Sequence, residues 1–476
     1  MKQQQKTKLK QLEKQLTQIQ TIKIPQNPTE FCTKILNFTP TTYQQELIKL
    51  FQQNQFIAAR WCRQSGKSQT ISALLLHHAL LNPNNYIGIV GPSWRQTKLI
   101  IRRINSFLRK LPKGTYHKPQ KTIVRLTNNS VIEAFPNNPE TIRGPTLNTV
   151  YLDEFNFLAN DTEMYDAILF TLGATDGKFV CTSTPWSTDS IFYKIFSDKA
   201  YSDFAKSHVT WQEALEPNGP LKKRILEKIK RQLEGNPWRW KREMEAEWAE
   251  DENSWLPQAL ITSCIDHQLE YSNFEEEVKG QFYVGLDLGK HQDHSALATV
   301  KTEDNSIKLT HLHRFPLRTP YASVIGYVKT LCDRWKTIKR VLVDMSGVGD
   351  YIVEDMVNAG MSQTEGVTFT QETKEKMAQW LKQCMVEKRL KIPYDGELIA
   401  ELSIERFELT KDGRIKFTHP EGTHDDRFWS LALACYATRT EPPPKLWVIP
   451  KMSKGKAKLQ QLRNKLLKNK VQGITR

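Results

Sequence analysis

Residues 57–70 read IAARWCRQSGKSQT, and the triplet Gly66-Lys67-Ser68 within them constrains the fold more than any other stretch of the chain. An apolar run, Phe56-Ile57-Ala58-Ala59, precedes it, and the helical pattern SQTISALLLHHALL follows. The order expected is strand, tight loop, helix. In that setting backbone amides at the helix start can hold phosphate, Lys67 can reach the outer phosphate oxygens, and Ser68 can bind Mg²⁺. The usual spacing GxxxxGK[S/T] also wants a glycine five places before Gly66, where this chain has Trp61. The triplet alone therefore leaves two readings open, a variant nucleotide loop or a chance match.

A second signal decides between them. TVYLDEF is an apolar strand that ends in Asp153-Glu154. A carboxylate pair at the carboxyl end of a strand can place Asp153 on a magnesium shell and Glu154 against a water, as the base for hydrolysis of a γ-phosphate. A lone Asp-Glu pair is usually only a strand-end turn; downstream of a phosphate loop it is more. VCTSTPW is a further strand, ending in Thr182, Ser183 and Thr184, which suit either a sensor of the phosphate or simple turn chemistry.

These elements lie in a doubly wound pattern that runs from about Pro40 to Thr210. YIGIVGP, NTVYLDEF and KFVCTSTP read as strands, and QTKLIIRRINSFLRKL reads as a second helix. Asn128-Asn129 reads as a hairpin turn. Residues 220–251 turn helical, charged and Trp-rich, and ENSWLP reads as a linker. A second α/β pattern begins at Gln281 and runs to about Thr440, where EPPPK closes it. A chain of 476 residues is expected to form two domains plus tails.

The formal charge of +16 points to nucleic acid only after its distribution is considered. Pro442–Arg476 carries ten Lys/Arg and no acid, and Met1–Ile24 carries six Lys and one Glu. The two ends thus hold all but about one of the excess charges, and the body between them is near neutral. The ends read as basic arms or as solvated tails. The first of them, LKQLEKQLTQIQTIKI, spaces Leu9, Leu12, Leu16, Ile19 and Ile22 as an amphipathic helix does. The cluster Arg95, Lys98, Arg102 and Arg103 suits phosphate contact, but a solvated helix face is the simpler reading. Seven cysteines without CxxC pairs argue against disulfides or zinc and for a reducing cytoplasm. The absence of a long apolar run or an apolar leader argues against a membrane span and a signal peptide.

The second half has its own chemistry. FYVGLDLGKHQDHSALATV reads as strand, turn, strand, with Asp287 ending the first strand and Asp293 starting the second. RVLVDMSGVGDYIVEDM is a buried strand ending in Asp344, and THDDRFWSLALACYA places Asp425-Asp426 at the start of an apolar helix. Acids on strand, strand and helix are the layout of an RNase H-like metal nuclease. In-line attack on a phosphodiester uses two hard cations roughly 3.5–4 Å apart, which take oxygen ligands. Each acid alone also suits a turn or a helix N-terminus. His291, His294 and His424 lie nearby and read as surface or supporting residues rather than ligands. Gly347 and Gly349 read as a turn.

Together these motifs resemble the large subunit of the tailed-bacteriophage terminase, the DNA-packaging ATPase and nuclease, over about residues 40–440. That family carries a deviant loop with an arginine in the glycine pattern, here Arg63-Gln64-Ser65-Gly66-Lys67-Ser68, so Trp61 is no obstacle. The resemblance implies an α/β fold with an N-terminal P-loop (ASCE-type) ATPase domain and a C-terminal RNase H-like nuclease domain. TTYQQEL matches the family's adenine-contacting element and places Tyr43 and Gln44 near the base. TIRGPTLNTVYLDEF matches its Arg-Gly segment, which makes Arg143 a candidate arginine finger toward a neighbouring subunit and Arg63 a phosphate contact within its own. NPWRWKREMEAEWAED resembles the lid region.

The same resemblance implies ATP held by Tyr43, Gln44, the loop Arg63–Ser68, Asp153, Thr182 and Ser183, with Ser68 and Asp153 toward Mg²⁺. It assigns Asp287, Asp344 and Asp426 as central ligands for Mg²⁺ or Mn²⁺, with Asp293 and Asp425 as secondary candidates. The divisions expected are a basic segment 1–30, an ATPase domain 31–215, a helical lid and linker 216–255, a nuclease domain 256–441 and a basic tail 442–476. Double-stranded DNA, the capsid portal protein, a small terminase subunit and a homo-oligomeric ring are the implied partners. The implied setting is the host cytoplasm with transient docking on the procapsid. A helicase-like ATPase with a non-cutting second domain is the main rival, and a nuclease or recombinase with an ATP-gated switch domain is the other.

Overall fold

The structure is a computed structural model that describes residues 24–112, 114–234, 236–249, 254–276, 278–289, 293–346, 351–409, 415–420 and 423–439. The amphipathic segment before Ile24, His291, the Gly347 and Gly349 turn, EPPPK and the basic C-terminal tail lie outside the described residues. The described chain as far as Thr438 belongs to one compact body with two main sheets.

The first sheet holds β1 (Phe56–Trp61), β2 (Tyr86–Val90), β3 (Ile123–Arg125), β4 (Val131–Ala134), β5 (Thr149–Asp153), β6 (Lys178–Ser183) and β7 (Ala205–Val209). Their order across the sheet is β3-β4-β2-β5-β6-β1-β7. β3 and β4 pair antiparallel around the expected turn, where Asn129 takes φ 67°. All other neighbours run parallel. Parallel strands need crossover helices, so both faces are covered and the strands read as continuous apolar runs. β5 accordingly is buried at every position. Alternation still shows in the core: Ile57, Ala59 and Trp61 join one cluster, and Ala58 joins Val150, Leu152, Phe179 and Cys181 in the other. The helix Lys67–Leu81 has no polar outer face and is buried along most of its length, with Lys67, Thr70, Ser72 and His77 among the buried residues.

The second sheet holds β8 (Gln281–Asp287), β9 (Ala296–Glu303), β10 (Ser306–Arg314), β11 (Ile338–Asp344), β12 (Thr364–Val367) and β13 (Leu390–Lys391), in the order β12-β11-β8-β9-β10-β13. β8, β9 and β10 form an antiparallel meander, β11 runs parallel to β8, and β12 runs parallel to β11. β14 (Arg406–Leu409) and β15 (Ile415–Thr418) form a separate antiparallel pair. One expectation is corrected here. β9 begins at Ala296, and Asp293 lies in the connection before it. The chain there folds back over Gly289, where a Cβ would stand 2.3 Å from the Asp293 carbonyl oxygen, so residue 293 cannot extend the strand.

The helix Asp426–Ala437 lies on β8 and β9 and is buried at all but one of its described positions. Gly285 makes that approach feasible: a Cβ on it would meet the Ser430 carbonyl oxygen at 2.2 Å and the Ala434 nitrogen at 2.3 Å. A strand glycine of this kind marks close backbone approach. The two sheets are joined by specific contacts. Phe157 stands edge-to-face on Tyr394 with ring centroids 5.5 Å apart, Trp186 donates its indole N–H to Thr262 Oγ1 at 2.9 Å, and the Trp94 amide donates to the His267 carbonyl at 3.0 Å. All seven cysteines are free thiols, and among the described residues no helix is long and apolar enough to cross a membrane.

Gly285→Val is expected to push the helix Asp426–Ala437 off the sheet and to cost about 1–3 kcal/mol or more, as overpacking does. Urea unfolding of the two proteins measures it.

Candidate functional site

Because β1, β5 and β6 run parallel and adjacent, their carboxyl ends open on one edge, the usual place for a ligand in such sheets. β6 lies between β1 and β5, the additional-strand arrangement of ASCE ATPases. Trp61 is the last residue of β1, fully buried, edge-to-face on Tyr43 at 5.0 Å, and donates to Ser207 Oγ at 2.8 Å. It belongs to the strand, and the loop proper begins at Cys62. The loop is fixed by its own bonds: the Cys62 amide to the Val209 carbonyl (2.9 Å), the Arg63 amide to the Glu243 carbonyl (2.8 Å) and Ser65 Oγ to the Cys62 carbonyl (2.7 Å). Gln64 and Gly66 take φ 60° and 86°. Gly66 is the N-cap of the helix Lys67–Leu81, which brings Ser68 into its first turn.

Tyr43 and Gln44 sit against this loop. The Tyr43 hydroxyl donates to the Ser65 carbonyl at 2.7 Å and Gln44 Nε2 donates to it at 3.3 Å. A Cβ at position 66 would fall 2.5 Å from Gln44 Nε2, so glycine is required there twice over, for its φ and for space.

Lys67 is almost fully buried and donates to Glu154 Oε1 at 3.2 Å. Glu154 stands just past β5 at φ 49°, a left-handed conformation that a non-glycine residue adopts at some cost. Its Oε2 accepts from Ser183 Oγ (3.2 Å), the Thr184 amide (3.1 Å) and Thr184 Oγ1 (3.3 Å). Burial opposes its ionisation, but Lys67, the Thr184 amide and Arg63 outweigh burial and hold the carboxyl below its ordinary range. Asp153 is pushed the other way, first by burial and then by Glu154, although Lys67 counteracts. The Tyr151 hydroxyl donates to Asp153 Oδ1 at 2.6 Å, and Thr182 Oγ1 donates to the same oxygen at 3.3 Å. The motifs do not single out Tyr151; its one signal is a polar tip two residues before the acid on the same strand.

The two arginines part company. Arg63 lies near the helix Pro237–Glu243, with Nε 3.8 Å from Glu243 Oε1. Arg143 ends the short helix Pro139–Arg143, half-exposed, ion-paired with Glu140. The segment after that helix is packed down: Arg60 bonds Glu247 at 2.8 Å and lies over the Trp248 ring at 4.8 Å.

In the second sheet Leu286 pairs with Val343, so Asp287 and Asp344 follow side by side at the carboxyl ends of parallel strands. The helix Asp426–Ala437, seated by Gly285, brings Asp426 to the same end. Asp287 is pushed well above the usual carboxylate range by burial and then by Asp344, Asp426 and Asp425. Asp344 is raised by burial, while Ser346 donates to its Oδ1 from its amide at 2.9 Å and from its hydroxyl at 2.5 Å. Asp426 is raised to about 8, by burial and then by Glu401, Asp425 and Asp293. Asp425 is the helix N-cap residue; its Oδ2 accepts from Trp429 Nε1 at 2.7 Å and its Oδ1 lies 3.6 Å from His419 Nε2.

His294 Nδ1 is hydrogen-bonded to the Phe315 carbonyl (2.7 Å), and its ring stands edge-to-face on His424 at 5.1 Å. Two neighbours carry no motif in the sequence. Lys374 opposes the charges of Asp287 and Asp344 and lies over the Trp429 ring at 4.4 Å. Glu401 accepts from the Arg427 amide at 2.8 Å and from its guanidinium, and so fixes the first turn of the helix Asp426–Ala437.

These residues suit hard cations. The donors are carboxylates, and Asp426 Oδ2 and His424 Nδ1 are buried, 4.0 Å apart, with no hydrogen-bond partner among the described residues. Buried polar atoms left alone are costly, and a cation among the carboxylates removes both that cost and their repulsion. Among the described residues no three acids, histidines or cysteines already stand in coordination geometry.

A P-loop sheet with an acid pair, joined to an RNase H-like sheet with a carboxylate cluster, defines a two-lobed ATPase–nuclease fold. The family described as the terminase large subunit, T4likevirus-type, N-terminal, matches residues 61–263. The large terminase subunit of Thermus phage G20c is 23% identical over 415 residues, covering 78% of this chain and 82% of that protein; that of Thermus virus P23-45 gives the same figures. The solved large terminase of bacteriophage HK97 is 15% identical over 86% of this chain and 98% of its own, with a TM-score of 0.38. Residues 61–263 are thus similar to the N-terminal part of the terminase large-subunit family, and most of the chain is similar to phage terminase large subunits.

With divalent cations removed, Asp426 keeps its proton to about pH 8 when folded and loses it near 3.8 when unfolded. The folded state binds more protons in that window, so stability is expected to fall as pH rises through it, by at most about 1.4 kcal/mol per unit from this group. Asp426→Asn should flatten the slope, and Mg²⁺ should raise Tm more at pH 8 than at pH 5. Thermal unfolding across pH in EDTA and in Mg²⁺ measures both.

Proposed function

We propose that this chain is the packaging motor and the DNA-cutting subunit of a tailed phage, moving double-stranded viral DNA into a procapsid at the expense of ATP and cutting concatemers with divalent metal. The observation that carries the reading is the convergence of Lys67, Glu154 and Asp153 on one sheet edge, with Asp287, Asp344 and Asp426 on the other sheet.

In the first lobe Gly66 and the amides that follow it receive the phosphates, Lys67 stands at the β/γ oxygens, and Ser68 and Asp153 hold Mg²⁺. Mg²⁺, when bound, offsets phosphate charge. Glu154 is ionised and aligned by Ser183 and Thr184, as a base that orients water requires. Tyr43 and Gln44 fix the loop and stand on the side for the adenine. Arg63 serves its own site, and Arg143, exposed at a helix end, serves a neighbour's in a ring; a finger of this kind is worth about 10³–10⁵ in rate.

In the second lobe Asp287, Asp344 and Asp426 hold Mg²⁺ or Mn²⁺, and Asp293 and Asp425 flank them. Hard cations held there would supply charge stabilisation for hydrolysis of a phosphodiester. Lys374 limits the negative charge of the cluster. Portal protein, a small terminase subunit and host-cytoplasmic docking on the procapsid complete the reading.

Lys67→Ala and Glu154→Gln are each expected to lower ATP turnover by 10² or more in order of magnitude while metal-dependent plasmid cutting persists. Asp344→Ala should abolish cutting and keep ATP turnover. Absence of cutting by wild type with either Mg²⁺ or Mn²⁺ would overturn the nuclease half.

A further inference from the structure

We propose that the second lobe completes the nucleotide site of the first, with Tyr394 and Gly396 acting as positioning residues for Arg63 and Glu154. The proposal rests on the ATPase reading above. The residues involved come just after β13, where Pro393-Tyr394-Asp395 leads into the helix Gly396–Ile404.

The Tyr394 ring stands edge-to-face on Phe157 at 5.5 Å, and the Phe157 amide donates to the Glu154 carbonyl at 3.0 Å. Tyr394 thus braces the turn that holds Glu154 in its left-handed conformation. The charges that bear on its phenol are those of the nucleotide site: Glu154, Arg63, Asp153 and Glu243. Burial, then Glu154, pushes the phenol well above its usual range, so it serves there as a neutral wall.

Gly396 lies under the Arg63 guanidinium. A Cβ at position 396 would come 3.4 Å from Nη2 and 3.8 Å from Nη1, ordinary contact distance, so residue 396 lies directly against the guanidinium and a side chain that branches beyond Cβ would crowd it. Arg63, Thr184 and Glu243 line one small cavity together with Gly396, Ile399 and Ala400 of the second lobe. Arg63 is long and flexible, and it is flanked by Glu243 on one side and the glycine on the other. Placement before the reaction is what makes a charged group effective on a transferring phosphoryl group.

The segment itself is rigid. Asp395 Oδ1 accepts from the Glu397 and Leu398 amides at 2.9 and 3.3 Å, and its Oδ2 accepts from the Tyr271 hydroxyl at 3.0 Å. Further along the same helix Glu401 grips Arg427, so the element that touches Arg63 also supports the helix that carries Asp426.

The test uses the full chain under conditions where wild type turns over ATP, with Tyr394→Ala, Tyr394→Phe, Gly396→Val and Lys67→Ala. Tyr394→Ala and Gly396→Val are expected to lower kcat for ATP about tenfold or more with KM changed less than about threefold, since the loop and base contacts stay. Tyr394→Phe, which keeps the ring, should recover most of the loss. Metal-dependent plasmid cutting and thermal unfolding identify a variant that has lost its fold; if Tyr394→Ala does so, Gly396→Val decides. Wild-type kcat in the folded variants, or a loss carried by KM alone, overturns the proposal. Hydrolysis that survives Lys67→Ala overturns the ATPase reading instead.

Discussion

Lys67 and Glu154 form a nearly buried ion pair at 3.2 Å, and the first lobe is arranged around it. Removing two charges from water is expensive, and the cost is recovered only with good geometry and further hydrogen bonds. Those bonds come from β6, through Ser183 and Thr184, which can reach Glu154 because β6 is inserted between β1 and β5. The left-handed turn at Glu154, the bonds of Asn156 to Trp186, Ser187 and Ser190, and the capping of the loop by Tyr43 all keep that pair in place.

The second lobe solves the reverse problem. Its carboxylates raise one another's proton affinity instead of being paired with cationic side chains, and packing holds them together. Gly285 lets the helix Asp426–Ala437 settle against β8, and Glu401 fixes the start of that helix. A site built this way stores repulsion that a divalent cation relieves, so metal affinity and local stability are linked. The first lobe carries its counter-charge in the chain, and in the proposed reading the second takes it from solution.

Much of this is legible in the residues. The parallel strands, the Asn128-Asn129 hairpin, the start of the second pattern at Gln281 and the loop at Gly66 follow from apolar runs and turn residues, because these report local burial and backbone freedom. Asp287 and Asp344 are visible as acids ending apolar strands. Asp293 is the exception: Gly289, whose close contact with residue 293 delays the strand, looks in the sequence like an ordinary turn glycine. Tyr151, Lys374, Glu401 and Tyr394 are not legible, since each acts on a residue from a different element or on one brought near only by strand geometry.

The sequence by itself determined which side chains can do chemistry: a lysine after a glycine turn, acids at strand ends, and the absence of thiol ligand pairs. Local spacing is enough for that, because strand, turn and helix are set by neighbouring residues. Only the tertiary structure decided which of those groups share a site and in what state of charge. That Glu154 is ionised and Asp426 holds its proton to about pH 8 follows from their surroundings, Lys67 beside one and other carboxylates beside the other. The approach of Gly396 to Arg63 belongs to the same class of fact, because contacts over hundreds of residues arise from packing and leave no periodic trace in the chain.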